Sequence, residues 1–224
     1  MKEIVSVLEH CPLFFGISPE KLPGLLDCLG AQTRPMEKRR PIFSAGQPAR
    51  YLGVVLEGAV QILQEDYFGG RAVLGAAGPG ELFGEAFACA GAASLPVTVL
   101  SSESGSLLLL DCRRVTGPCE KGCAVHQRLV LNLLQVMAQK NLAFHQKLQI
   151  LSRRTTREKL LAYLDLQARQ HQSASFFIPF DRQALADYLG VERSAMSAEI
   201  GKLRKDGLIE TSGAWFRVAA SDGK

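Results

Sequence analysis

The chain has 224 residues, enough for one large domain or two small ones, each able to bury a core. Hydrophobic residues make up 47%, charged 21% and aromatic 7%, a globular balance that excludes disordered, collagenous and low-complexity classes. The formal charge of +4 is too mild to name a partner by itself.

The charge is divided along the chain. Residues 1–120 carry 10 basic and 13 acidic side chains, residues 121–150 four basic and none acidic, and residues 151–224 12 basic and nine acidic. The C-terminal half is therefore the candidate for a polyanion partner. Glycine and proline divide at the same place: 15 of 21 glycines precede residue 121, and no proline lies between Pro118 and Pro179. Glycine supplies tight turns and proline breaks helix interiors, so the first part reads as short strands and the middle as long helix.

In chain order, Glu3 and Glu9 interrupt the apolar stretch that a secretory signal needs. Ser18 followed by Pro19 predicts a helix start. Ile42-Phe43, Tyr51 to Leu56, Ala59 to Leu63, Arg71 to Leu74, Val97 to Leu100 and Ser106 to Leu110 are β-prone runs bounded by Gly, Pro or Ser, as in a barrel or jelly roll. The charge-free run Ala86 to Ser102 contains Gly91 and Pro96 and is too short for a membrane span, so no membrane partner is expected. Six cysteines are too sparse for a disulfide scaffold, which points to a cytoplasmic chain with reduced thiols.

From about Lys121 to Leu151 the apolar period changes. Val130, Leu134, Met137, Asn141, Phe144, Leu148 and Leu151 are spaced alternately four and three apart, a heptad seam with one polar member, Asn141. Such a seam suits pairing with an identical helix; a single amphipathic helix laid on its own barrel has the same pattern.

Residues 181–209 read DRQALADYLGVERSAMSAEIGKLRKDGLI. Asp181 caps a helix that Gly190 ends, and a second helix runs from about Arg193 to Lys205. Leu208 to Thr211, a turn at Ser212-Gly213, and Trp215 to Val218 then form a hairpin, completing a winged helix-turn-helix. Arg193, Ser194 and Ser197 stand where a recognition helix reaches base edges, and Lys202, Arg204 and Lys205 where it meets phosphates. No Ser/His/Asp grouping, carboxylate pair or P-loop has a useful spacing, so no enzyme is expected.

A Gly-rich β-roll, one long helix and a C-terminal winged helix together resemble the transcription regulators related to the cyclic-AMP receptor protein and FNR, the Crp/Fnr family. The resemblance covers nearly the whole chain. It is carried by Phe43 to Gly46 with Tyr51 to Gly58, by Phe83-Gly84-Glu85, and most specifically by Gly190 to Ser197. It implies an α+β fold: an N-terminal β-roll (a jelly-roll-like double-stranded β-helix) over 1–120, a dimerisation helix over 121–151 and a winged helix-turn-helix over 152–224. It further implies a homodimer on a two-fold symmetric site in double-stranded DNA, a contact to RNA polymerase, and a small-molecule effector in a pocket made by Gly84, Glu85, Leu95, Pro96 and Asn141.

Two departures from the family matter. Members that bind cyclic nucleotides hold the phosphate with an Arg and a following Ser or Thr; the matching positions here are Leu95 and Pro96. No cation occurs from Ala86 to Leu100, so a buried phosphate there has no charge-assisted partner, and cyclic AMP or GMP is not expected in the usual mode. The effector is unknown. The recognition helix carries Ala198 where relatives often place Arg, so Arg193 is expected to carry more of the specificity.

Iron–sulfur relatives use closely spaced N-terminal cysteines, but Cys11 and Cys28 stand 17 residues apart. Cys112, Cys119 and Cys123 form a looser group, in which Cys119 and Cys123 share a helix face if Pro118 opens the helix. That pair reads either as a soft-metal or redox site or as small buried hydrophobes. His10, His126, His145 and His171 are scattered, so neither haem nor another metal is supported, and His126 and His145 are expected on the helix surface. The reading is a DNA-binding regulator with a non-nucleotide effector. A thiol-sensing or iron–sulfur regulator and a cyclic-nucleotide-responsive one are the alternatives.

Overall fold

A computed structural model describes residues 2–65, 70–118 and 123–219, without the side chains of Lys2 and Arg71. The chain opens with α1 (Lys2–His10), a 3-10 turn at Pro12–Phe14, a second at Pro19–Lys21, and α2 (Leu22–Leu29). Strands β1 (Gln32–Met36), β2 (Pro41–Phe43), β3 (Tyr51–Glu57), β4 (Val60–Glu65), β5 (Arg71–Ala77) and β6 (Leu82–Phe83) follow. Next come α3 (Glu85–Cys89), β7 (Thr98–Ser101), β8 (Gly105–Asp111), α4 (Cys112–Thr116) and the 28-residue α5 (Ala124–Leu151). The C-terminal part is α6 (Thr156–His171), β9 (Ser175–Phe177), α7 (Arg182–Leu189), α8 (Arg193–Lys205), β10 (Ile209–Ser212) and β11 (Trp215–Val218). Two compact units divide after Lys140, within α5.

The N-terminal unit holds two four-stranded antiparallel sheets, β1-β8-β3-β6 and β2-β7-β4-β5. Strands β3 and β8 are apolar on both faces because each face meets a different core. Leu52, Val54, Leu56, Leu108 and Leu110 point outward to Leu8, Phe14, Leu22, Leu26 and Leu129. Val55, Leu107 and Leu109 point between the sheets, towards Phe43, Val60, Phe83, Leu95 and Val99. A period of two thus serves two cores at once. Gly53 is required by a close approach, since a Cβ there would lie 2.2 Å from the Phe83 ring.

The C-terminal unit has its own core, in which Leu160, Tyr163 and Leu164 of α6 meet Leu185, Met196, Leu203 and Phe216. Its sheet, β10-β11-β9, adds β9 to the expected hairpin. A capping box starts α6: the Glu158 N–H donates to Thr155 Oγ1 at 3.1 Å, and the Thr155 N–H donates back to Glu158 Oε2 at 3.0 Å. These bonds, that from the Thr155 N–H first, hold the Glu158 carboxyl below its ordinary range.

Several local expectations change. Ser18 makes no side-chain cap and precedes a 3-10 turn; the α-helix begins at Leu22, because Pro19 and Pro23 each restrict the turn before them. Helices α1, α3 and α6 and strands β1, β6 and β9 were not read from periodicity, most being too short to display one. The capping box Thr155-x-x-Glu158 was the available signal for α6.

Candidate functional site

The winged helix is built from short-range rules. Asp181 Oδ1 accepts the Ala184 N–H at 2.8 Å to start α7, and Gly190 at φ +59° ends it in the left-handed region that favours glycine. Met196, Ile200 and Leu203, spaced four and three apart, anchor α8 in the core. Arg193, Ser194, Ser197, Lys202, Arg204 and Lys205 are all exposed on the same helix. Lys202 is not independent: its Nζ lies 2.6 Å from Glu199 Oε1. Glu192 makes no side-chain cap, so the positive N-terminal end of α8 is open beside Arg193 and Ser194.

Arg182 was not anticipated from sequence. Its Nη2 donates to Thr211 Oγ1 at 3.0 Å and its guanidinium lies 4.9 Å from the Phe216 ring centre, tying α7 to the wing. Burial, and secondarily the charge of Arg204, push its pKa down.

In the β-roll, Gly84 at φ +76° turns the chain into α3, whose first residue, Glu85, is only 5% exposed. Lys140 of α5 reaches it: Nζ donates to Glu85 Oε1 at 2.7 Å and to the Leu82 carbonyl at 2.9 Å. Glu85 Oε2 is buried with no hydrogen-bond partner among the described residues. Leu95 is buried in the inter-sheet core and Pro96 is exposed. Where a phosphate-gripping arginine is expected in the family, a leucine therefore packs among Phe43, Phe83 and Val99. Asn141, the remaining residue of the expected pocket, is exposed on α5.

Helix α5 has two apolar faces. Leu129, Leu133 and Val136 are buried, and Asn132 between them donates to the carbonyls of Leu13 at 2.9 Å and Phe15 at 2.8 Å. Of the seam residues, Leu134, Asn141, Phe144 and Leu148 are exposed, whereas Val130 is half-buried and Met137 packs partly on the N-terminal core. Phe144, at 71% exposure, is among the most exposed large apolar side chains described. His126 is a correction: it is buried rather than superficial, its Nε2 2.8 Å from the Val115 carbonyl, because α4 closes over the start of α5. His145 is exposed, as expected.

The pairing of Cys119 with Cys123 falls on Cys119, which lies outside the described residues. Cys112 instead neighbours Cys89, sulfur to sulfur at 3.4 Å. Among the described residues no group of three or more His, Cys, Asp or Glu side chains is placed to hold a metal ion, and no helix is long and apolar enough to cross a membrane.

Comparison with known proteins follows the same division. Residues 33–117 match the cyclic nucleotide-binding domain family and residues 158–220 the Crp-like helix-turn-helix domain family. The transcriptional activator protein FnrA of Stutzerimonas stutzeri is 23% identical over 203 residues, spanning 88% of this chain and 81% of that protein. The catabolite activator protein of Thermus thermophilus is 25% identical, with a TM-score of 0.54 over 92% of this chain and 93% of its own. This chain belongs to the Crp/Fnr family of transcription regulators. A third similar structure, the c-di-GMP-responsive regulator CLP of Xanthomonas campestris, shares the fold at 20% identity and a TM-score of 0.58 over 91% of this chain and all of its own.

The Crp/Fnr assignment makes the chain a DNA-binding regulator, not an enzyme. It also sharpens what sequence reading missed. Lys140 lies outside the cation-free stretch from Ala86 to Leu100, yet it is the cation that meets Glu85, 55 residues away. Only the helix packing brings the two together.

Proposed function

We propose that this Crp/Fnr regulator acts as a homodimer on a two-fold symmetric operator, each α8 entering a major groove. The observation that carries the reading is the exposure of Arg193, Ser194 and Ser197 on a helix whose other side is locked by Met196, Ile200 and Leu203. Arg193 would contact guanine edges, the serines adjacent bases or phosphates, and Lys205 and Arg204 phosphates alone. The exposed Leu134, Phe144 and Leu148 support self-pairing along α5. In functional terms the chain divides into a sensor over 1–120, a dimerisation helix over 121–151 and a DNA-binding part over 152–224, working in the cytoplasm and through a contact with RNA polymerase.

The effector is a small molecule other than a cyclic nucleotide. Supporting this, Leu95 replaces the cation, Pro96 the hydroxyl, and Lys140 already pairs with Oε1 of the one carboxylate left to meet a ribose. Binding selection from random duplexes, followed by footprinting and sedimentation, tests the reading. Two half-sites about 34 Å apart and a dimer in solution are expected. A monomer on one half-site, or no sequence preference, overturns it. Calorimetric titration with cyclic AMP and cyclic GMP should give no heat of binding; tight binding of either overturns the effector assignment.

A further inference from the structure

We infer that Cys89 and Cys112 form a reversible dithiol–disulfide site, closed by a peroxide-class two-electron oxidant and opened by thiols. The two sulfurs lie 3.4 Å apart although 23 residues separate them in sequence. Cys89 ends α3 and Cys112 opens α4, two short helices that pack against each other. At its other end α3 is held by the Glu85 contact to Lys140, and α4 follows Asp111, whose Oδ2 accepts from Arg50 at 2.7 and 2.9 Å. Both partners are thus held in place, and the ordering cost of bringing two thiols together has been met by folding. Cys89 is half-buried and is the sulfur that an oxidant reaches; Cys112 is 5% exposed behind it.

The chemistry balances in two steps. The Cys89 thiolate attacks one oxygen of hydrogen peroxide, the O–O bond breaks, and hydroxide departs to take up the thiol proton as water. The resulting sulfenic acid is attacked by the Cys112 sulfur; the S–S bond forms and the S–OH bond breaks, releasing a second water with the Cys112 proton. Two thiols lose two electrons in total and one peroxide gains them. A covalent S–S bond is about 2.05 Å long, so the sulfurs draw together by about 1.3 Å. That movement falls on α3, a five-residue helix anchored at its first residue by the buried carboxylate of Glu85. Burial, and then the hydrogen bond with Cys112, push the Cys89 thiol up to about 12, so thiolate is scarce at neutral pH and the site closes slowly.

The sequence supplies a direct assay. Trypsin releases residues 72–113 as one peptide containing Cys89 and Cys112 and no other cysteine, and Glu103 lies between them. Full-length protein is treated with a small excess of hydrogen peroxide at pH 8, alkylated, and digested. The expected product is peptide 72–113 lighter by two hydrogens and blocked to alkylation, whose halves stay joined after cleavage at Glu103 until dithiothreitol is added. Cys89→Ser, at the half-buried position, should leave the fold intact by far-ultraviolet circular dichroism and urea unfolding and abolish the link. The idea is overturned if both cysteines remain alkylatable while exposed Cys28 is oxidised, or if Cys89 joins a different cysteine. A Cys89→Ser protein that still loses the Cys112 thiol to a new partner also overturns it.

Discussion

The two units differ in where their ion-paired carboxylates lie: two are buried in the N-terminal unit, and those of the C-terminal unit are exposed or partly so. In the N-terminal unit two buried carboxylates are matched by part-exposed cations: Glu85 by Lys140, and Asp111 by Arg50, whose pKa is raised by the hydrogen bond and charge of that carboxylate. In the C-terminal unit, Arg193, Arg204 and Lys205 stand exposed and form no ion pair among the described residues. A buried charge needs a partner because desolvation is costly, whereas an exposed cation remains available to phosphate.

The contrast can be broken most forcefully at Lys140. Lys140→Met strands a nearly buried carboxylate and should destabilise the N-terminal unit by about 2–3 kcal/mol, allowing for the half-exposed lysine. Urea unfolding measures this, and adding Glu85→Gln should recover most of the loss. A change under about 0.5 kcal/mol in the single variant means that the pair is only superficial. Next in size, Arg193→Ala should weaken operator binding by about 1–3 kcal/mol while leaving random-sequence binding nearly unchanged. Equal loss on all duplexes removes Arg193 from base recognition. Lys205→Ala should instead lower affinity for every sequence and reduce the slope of log affinity against log salt by about 0.9.

The smallest effect sharpens the comparison inside the C-terminal core. Tyr163 is buried, and its hydroxyl has no hydrogen-bond partner among the described residues. Desolvation, and then the nearby Tyr188, raise its pKa above the ordinary 10.0, so the folded state holds this proton more tightly than the unfolded one. Its contribution is therefore intact below pH 10 and is lost as pH rises from there towards the folded value. Tyr163→Phe should change stability near neutral pH by less than about 1 kcal/mol and flatten the alkaline decline. Tyr188, also raised by burial, keeps the decline from vanishing. Thermal melts of the two proteins at pH 8 and pH 11 decide it; an unchanged alkaline slope overturns the assignment to Tyr163.

The parts of the fold that were legible are those governed by neighbours in sequence. Asp181 capping three residues on, Gly190 ending α7, and the four-three spacing of Met196, Ile200 and Leu203 are local, and each stands where the sequence places it. The long helix was legible only as a helix. Its heptad seam includes Asn141, but the asparagine that is buried is Asn132, on the face turned to the chain's own core. Periodicity cannot separate two apolar stripes on one cylinder when both repeat every three to four residues.

The β-roll candidates were legible least. Leu95 and Pro96 are visible as a missing cation, yet the neutralisation of Glu85 by Lys140 spans 55 residues and the thiol contact spans 23. What the sequence by itself determined was the family, the division of charge and the reading helix, because capping, glycine turns and core spacing act within a few residues. The tertiary structure alone decided which polar groups are buried and what each meets. Burial is a property of packed layers, and strands such as β3 and β8, apolar on both faces, do not reveal which core each residue joins until the layers are assembled.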